Sequence, residues 1–479
     1  MRFSRVFAAL FLLLGLLTPI SCSRTKQDAG IELEFWTIAL ASFRPYIESQ
    51  LRGFEAANPG VRVRWVDVPY NVLERKLIAA AAAGRAPDVV NMSDINYSRF
   101  ASLGAFIDME PLAARFTRET ADERYLAGAL ALCRIDVGSE SESPLTTEPG
   151  NSAGDGRRKL LALPWYVNPQ TSIINESLLA EGGLTTATLA RDWRGLLAQA
   201  PEFFRRTGAH LISQPLGEES QLPIMLLSEG LSPLKPRDPA DPRAGLAPDL
   251  RRQEVRDYIA LWVEAFRSGW LPRDAGTTGH SHLLTLYQER RLAVISTGPN
   301  LIRTIRDVSR KAYETTTVRE GVVGALGRAH MPIMVLSVTS QSRHPELATK
   351  LAWWMTSPEA QLEFCKIVPI LPSTRASVED PFFRPSQDEM SGPDGVLVRA
   401  RSVAAESLAT ATGFTAALDC WPDLRRSFEE GMKRILLDDR DLDEGLRDIE
   451  SEWDRILLEA TPGTMDAIPR PEPVRRRAE

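Results

Sequence analysis

Between Ile31 and Met92 the chain switches repeatedly between two hydrophobic periods, and this alternation limits its fold more than any other feature. Ile31-Glu-Leu-Glu-Phe-Trp36 alternates apolar and polar residues in period two, the pattern of a strand. Phe43, Ile47, Leu51 and Phe54 then recur at helical spacing until Asn58-Pro59-Gly60 stops the helix. Val61, Val63 and Trp65 alternate again. Leu73, Leu77 and Ala80 give a second helix that ends near Gly84-Arg-Ala-Pro87, and Asp88-Val-Val-Asn-Met92 reads as a third strand. Strand and helix in strict turn predict a parallel sheet covered by helices. The fold class is therefore α/β.

The 479 residues suffice for two domains, each with its own core. A formal charge of −6 argues against nucleic acid as a partner, because phosphate binding needs a basic surface. At the N-terminus Arg2 and Arg5 precede an apolar run from Val6 to Leu17, followed by Thr18-Pro19-Ile20-Ser21-Cys22. The run is short for a spanning helix, which needs about 20 apolar residues. A basic start, a short apolar stretch and small residues read instead as an export signal over 1–21. Ile20-Ser21-Cys22 resembles the lipobox of bacterial lipoproteins, with Pro19 where an aliphatic is usual. That likeness implies an acylated Cys22, a tether over 22–30 and an exported, envelope-anchored protein. Losing residues 1–21 with their two arginines takes the charge from −6 to −8.

Residues 134–158 are dominated by Ser, Glu, Thr, Pro and Gly, and predict a flexible surface insertion. A second Pro-rich loop spans 233–248, and the chain from 456 on predicts a disordered tail. Cys133, Cys365 and Cys420 permit one bridge at most. Cys365 and Cys420 as a pair or as buried thiols both stay open. His280-x-His282 lacks Cys or carboxylate partners in sequence and reads as a loop, so neither a metal nor a cofactor is expected.

Four ordered segments carry a resemblance. Phe54-Glu-Ala-Ala-Asn58-Pro-Gly-Val-Arg-Val63 is followed by Ala82-Ala-Gly84-Arg-Ala-Pro87-Asp88-Val-Val90. Leu163-Pro164-Trp165-Tyr166 leads to Ile174-Asn175-Glu-Ser-Leu178 and Gly182-Gly-Leu184. The third is Arg291-Leu-Ala-Val-Ile295-Ser-Thr-Gly298-Pro-Asn300. The fourth runs from Pro345-Glu-Leu-Ala348 through Leu351 to Gln361, with Leu371-Pro-Ser373 and Trp421-Pro-Asp downstream. Their order and spacing resemble family 1 of the extracellular solute-binding proteins, the group that includes maltose-binding proteins.

The resemblance implies a two-lobed periplasmic-binding-protein-like fold (type II) with the ligand cleft between the lobes. Lobe one would hold 31–165 and 330–372, and lobe two 166–329 and 373–455, with crossings near Trp165, near Arg328 to Pro332 and near Pro372. It also implies a monomer that delivers a small ligand, a sugar above all, to ABC permease subunits, and a role other than an enzyme's.

Candidate cleft residues come from topology and from the resemblance together. Trp36 and Thr37 end the first strand and Ser93-Asp94 follow the third, at the carboxyl ends where such sheets bind ligands. Asp94 suits paired hydroxyl hydrogen bonds, or a helix N-cap. Trp165, Tyr166 and Asn168 lie on a crossing strand. Gly298 and Asn300 follow a buried strand, and Trp421 opens a helix at a position resembling the family's sugar-stacking site. Two other readings stay open: an envelope-anchored sensor or scaffold, and a carboxylate-dependent glycosidase, whose two acids need no fixed spacing.

Overall fold

In the computed structural model residues 30–69, 72–136, 158–241, 245–414, 418 and 420–460 are described. The signal, Cys22, most of the tether, residues 137–157 and the tail from 461 lie outside them. The βαβαβ start forms as the periodicity predicts: strands Ile31–Ile38, Val61–Val68 and Val89–Ser93 alternate with helices Arg44–Ala57 and Leu73–Ala82. Gly60, at φ 86°, takes the left-handed backbone that turns the first helix into the second strand.

Two sheets organise the chain. The first has six strands in the order 371–372, 163–167, 333–338, 89–93, 31–38 and 61–68. The pairs made by 31–38 are parallel, and those made by 333–338 are antiparallel. The second has four strands in the order 316–320, 171–175, 292–297 and 210–212. Each sheet is covered by its own apolar core. Phe35, Phe54, Trp165 and Phe364 lie in the first, and Trp193, Trp262, Trp421 and Trp453 in the second. The second sheet is buried on both faces: Ile174 and Val294, paired across strands, face that core, while Ile173 and Ile295 face a smaller one with Leu286 and Ile305.

Two antiparallel runs pass from one sheet to the other, 163–167 into 171–175 and 316–320 into 333–338. Between the sheets they stay zipped, with Asn168 N–H donating to Pro332 O at 3.0 Å and Gln170 N–H to His330 O at 2.9 Å. A third segment lies alongside: Met331 N–H donates to Thr412 O and Thr412 N–H to Ala329 O. The third crossing therefore lies at 411–414, not near Pro372. After Pro372 the chain remains on the first core, where Ser373 bonds Gln361 and the Pro164 carbonyl and Phe383 is buried. Helix Gly395–Ser407 then reaches across, with Ala400 in the small core of the second sheet and Ala404 in the first core.

Several expected irregular stretches contain order. The insertion starts and ends as a ribbon, Arg134–Asp136 against Arg158–Leu160, and the Pro-rich loop holds another, Leu234–Pro236 against Leu246–Pro248. Residues 456–459, expected in the tail, are the last turn of helix Leu442–Glu459, where Leu457 is buried. Cys365 lies in the first core and Cys420 in the second.

Candidate functional site

The three crossing segments and the carboxyl end of strand Leu292–Thr297 meet at one place. Asn168 Nδ2 donates to Asn300 Oδ1 at 3.2 Å, and the Asn168 amide lies over Gly298 so closely that a Cβ there would come 2.2 Å from it. Glycine at 298 is a packing requirement of that amide. Asn168 Oδ1 is buried without a partner among the described residues. Next in the strand, Thr171 Oγ1 donates to Thr297 O and Ser296 Oγ to Gln170 Oε1.

Gln170 also opens a second set of polar groups. With Gln214, Gln221, Ser228 and His330 it lines a cavity walled by Trp193, Ile224, Met225 and Val322. Gln214 is buried and its Nε2 has no hydrogen-bond partner among the described residues, and the same holds for the hydroxyls of Ser213, its neighbour in the chain, and of Ser220, the neighbour of Gln221. A buried amide or hydroxyl without a partner costs about 1–3 kcal/mol, a cost that an outside hydrogen-bonding group reaching Gln214 would relieve. The space amounts to ≈ 10 Å³, about one water. A larger ligand needs the surrounding segments to part.

His330 is held neutral there: burial first, and the Arg425 charge second, push its imidazole down to about 3. Its Nδ1 accepts the Phe414 N–H at 3.2 Å, so the remaining proton sits on Nε2. Arg425 reaches the Ser220 carbonyl with Nη2 and pairs with Glu429 at 3.7 Å. Burial raises the Glu429 carboxyl above the usual range. The site thus offers amides, hydroxyls and one Arg–Glu pair, a set suited to a neutral polyhydroxylated molecule. Among the described residues no group of three metal-ligating side chains converges; the His-x-His pair, expected in a loop without a carboxylate partner, instead opens helix His280–Gln288, and His282 bonds the Asp274 carboxylate.

Of the nine candidates, Asn168, Gly298 and Asn300 come together. Asp94 is the first residue of helix Asp94–Ser102, buried where Ile95 beside it touches the second core. Tyr166 stands edge-on to Phe364. Four others are committed to packing. Trp165 is fully buried and stacks on Phe364 at 5.7 Å. Trp421 packs edge-on against Trp453 at 6.4 Å within the second core. The Trp36 indole donates to Glu34 and lies under the Lys76 ammonium. Thr37 Oγ1 donates to Asp67 and accepts from Trp65. Trp165, expected at the cleft, and the Trp421 ring, expected to stack on sugar, are therefore turned inward, where apolar contact outweighs exposure of the indole edge. Gln170, Gln214 and His330 were missed in the sequence. The available signal was Ser213-Gln214-Pro215, polar residues directly after a buried strand.

The model of the bacterial extracellular solute-binding proteins matches residues 50–388. This chain belongs to that family. Among solved solute-binding structures, a putative oligosaccharide periplasmic-binding protein from Synechococcus sp. MITs9220 is 26% identical, with 89% of this chain and 99% of that chain covered and a TM-score of 0.74. The sugar-binding protein MalE from Xanthomonas citri is 19% identical over 89% and 98% of the two chains, with a TM-score of 0.69. The GacH receptor of Streptomyces glaucescens GLA.O, solved with acarbose, is 18% identical over 90% and 100%, with a TM-score of 0.67. These two share the two-lobed fold. No curated protein matches the chain in sequence.

Proposed function

We propose that this solute-binding protein captures a small carbohydrate outside the cytoplasm, between its lobes, and hands it to the permease of an ABC-type importer. The observation that carries the reading is the polar cavity beside the crossings, lined by Gln170, Gln214, Gln221, Ser228 and His330, in which Gln214 Nε2 is buried without a partner among the described residues. The Synechococcus relative, described as a putative oligosaccharide-binding protein, supports the ligand class. Asn168, Asn300, Gln170, Gln214 and His330 would bond sugar hydroxyls, with Asp94 and Tyr166 on the first-lobe side. The protein acts as an exported monomer anchored through lipid on Cys22, and binds without catalysing.

Closure follows from the crossings. Three short zipped segments bend more easily than two packed cores deform, so the lobes move as rigid bodies about them. A ligand drives closure only by preferring the closed form. Thermal-shift measurement of the mature protein against mono- and oligosaccharides tests the ligand class. A sugar at 100 times its Kd adds about 2.7 kcal/mol. Small-angle scattering should show a smaller radius of gyration with that sugar. A stabilising sugar that leaves the radius unchanged would sink the closure mechanism, and no stabilisation by any carbohydrate would sink the ligand class.

A further inference from the structure

The second lobe has another cavity, at the far end of its sheet. The crossing cluster lies at the Thr171 end of strand Thr171–Asn175; this cavity opens beside Thr316, which pairs with Asn175 at the other end. Four residue steps of strand separate the two ends by about 13 Å. Its volume is ≈ 310 Å³, in the range of small-molecule sites.

Its charges are arranged unusually. Arg310 and Glu314 both line it and satisfy each other at 3.1 Å. Arg399 also lines it but donates only to the Thr317 hydroxyl, at 3.2 Å, and has no carboxylate partner among the described residues. Glu176 lines the cavity too, its backbone N–H bonded to Thr315 O and its carboxylate without a side-chain partner among the described residues. One uncommitted cation and one uncommitted anion thus share a cavity while standing too far apart to pair. The Tyr313 hydroxyl, in the same wall, lies against the Leu397 backbone.

We propose that this cavity is a second ligand site, separate from the interlobe cleft, for a small zwitterion of the α-amino-acid class. The ligand carboxylate sits on Arg399, where a guanidinium offers paired donors, and its ammonium sits on Glu176. Either charge alone would serve a simple ion; the pair held apart selects a molecule carrying both. This site stands independently of the carbohydrate reading.

Calorimetric titration of the mature protein with each of the twenty amino acids, and with acetate and methylamine as single-charge controls, tests the proposal. At least one amino acid should bind, and the controls should bind at least tenfold more weakly. Arg399→Ala and Glu176→Gln should each weaken amino-acid binding tenfold or more, with melting temperatures close to wild type because both side chains are exposed. Asn168→Ala should leave it unchanged. Absence of binding by all twenty overturns the site. Acetate binding as tightly as an amino acid, with Glu176→Gln silent, overturns the zwitterion. Loss of amino-acid binding in Asn168→Ala would place the ligand in the cleft and overturn the second site.

Discussion

Arg99 on the first lobe and Asp423 on the second stand 3.9 Å apart, an ion pair that spans the two lobes. Arg99 is also bonded to Glu74 of its own lobe, and Asp423 to Arg426 of its own. Each partner is thus also held by an ion pair within its own lobe. The pair is partly exposed, with side chains 25% and 35% accessible, so its worth is modest, on the order of 0.2–1 kcal/mol. Asp423→Asn should weaken ligand affinity about two- to fivefold at low salt. The deficit should shrink in high salt, where the wild-type attraction is screened. Titrations at two ionic strengths check this; a deficit independent of salt would mean that the carboxylate does something other than join the lobes.

Trp421→Ala should act on the fold. The indole is 1% exposed and packed on Trp453 in the second core, so truncation leaves a large cavity costing roughly 3–5 kcal/mol. Urea unfolding would report the loss. A variant of wild-type stability that no longer binds would show instead that the ring faces the ligand.

Gly298→Ala should disturb binding more than stability. The added methyl meets the Asn168 amide at 2.2 Å and pushes it from Asn300. Affinity for the cleft ligand should fall at least tenfold while the melting point moves little. In a background of Asn168→Ala the same change should have almost no further effect, because the clashing amide is gone. Additive losses in the double variant would contradict the geometry.

Stability should carry a signature of His330. Its folded-state value is about 3, against an ordinary value near 6.5 in the unfolded chain. Between those limits the unfolded state takes up a proton that the folded state refuses, so acidification from about pH 6.5 toward 3 destabilises the fold. Above that window this contribution is complete and flat. Burial shifts His210 and His280 downward as well, in the same sense. Replacing His330 by Gln should make the acid limb shallower, by at most about 1.4 kcal/mol per pH unit. Parallel denaturation curves from pH 7 to 4 for both proteins would show it; identical slopes would mean that His330 is protonated without penalty.

Cys22→Ser should abolish incorporation of a fatty-acid analogue and release the protein from the membrane fraction, as Ile20-Ser21-Cys22 implies. Equal labelling of wild type and variant would refute acylation. A single acyl chain holds weakly, so stable anchoring calls for more than one.

The opening βαβαβ unit was legible residue by residue because strand and helix period are local properties, set by neighbours two to four positions away. The stop at Asn58-Pro59-Gly60 was legible for the same reason. The site was legible only in part. Asn168 and Asn300 were singled out separately, but their contact joins positions 132 residues apart, which no local pattern encodes. The third crossing escaped because 411–414 is a short extended segment, too brief for a period to register. Which way an aromatic side chain points is likewise a tertiary decision. Trp165 and Tyr166 are neighbours of similar character, yet the strand sends one fully into the core and leaves the other half-buried. The sequence determined the opening elements, which rest on short-range periodicity, and the family, which rests on the order and spacing of four segments along the chain. Tertiary structure alone decided which polar groups are buried unpaired at the crossings, because desolvation depends on what the rest of the fold places against them.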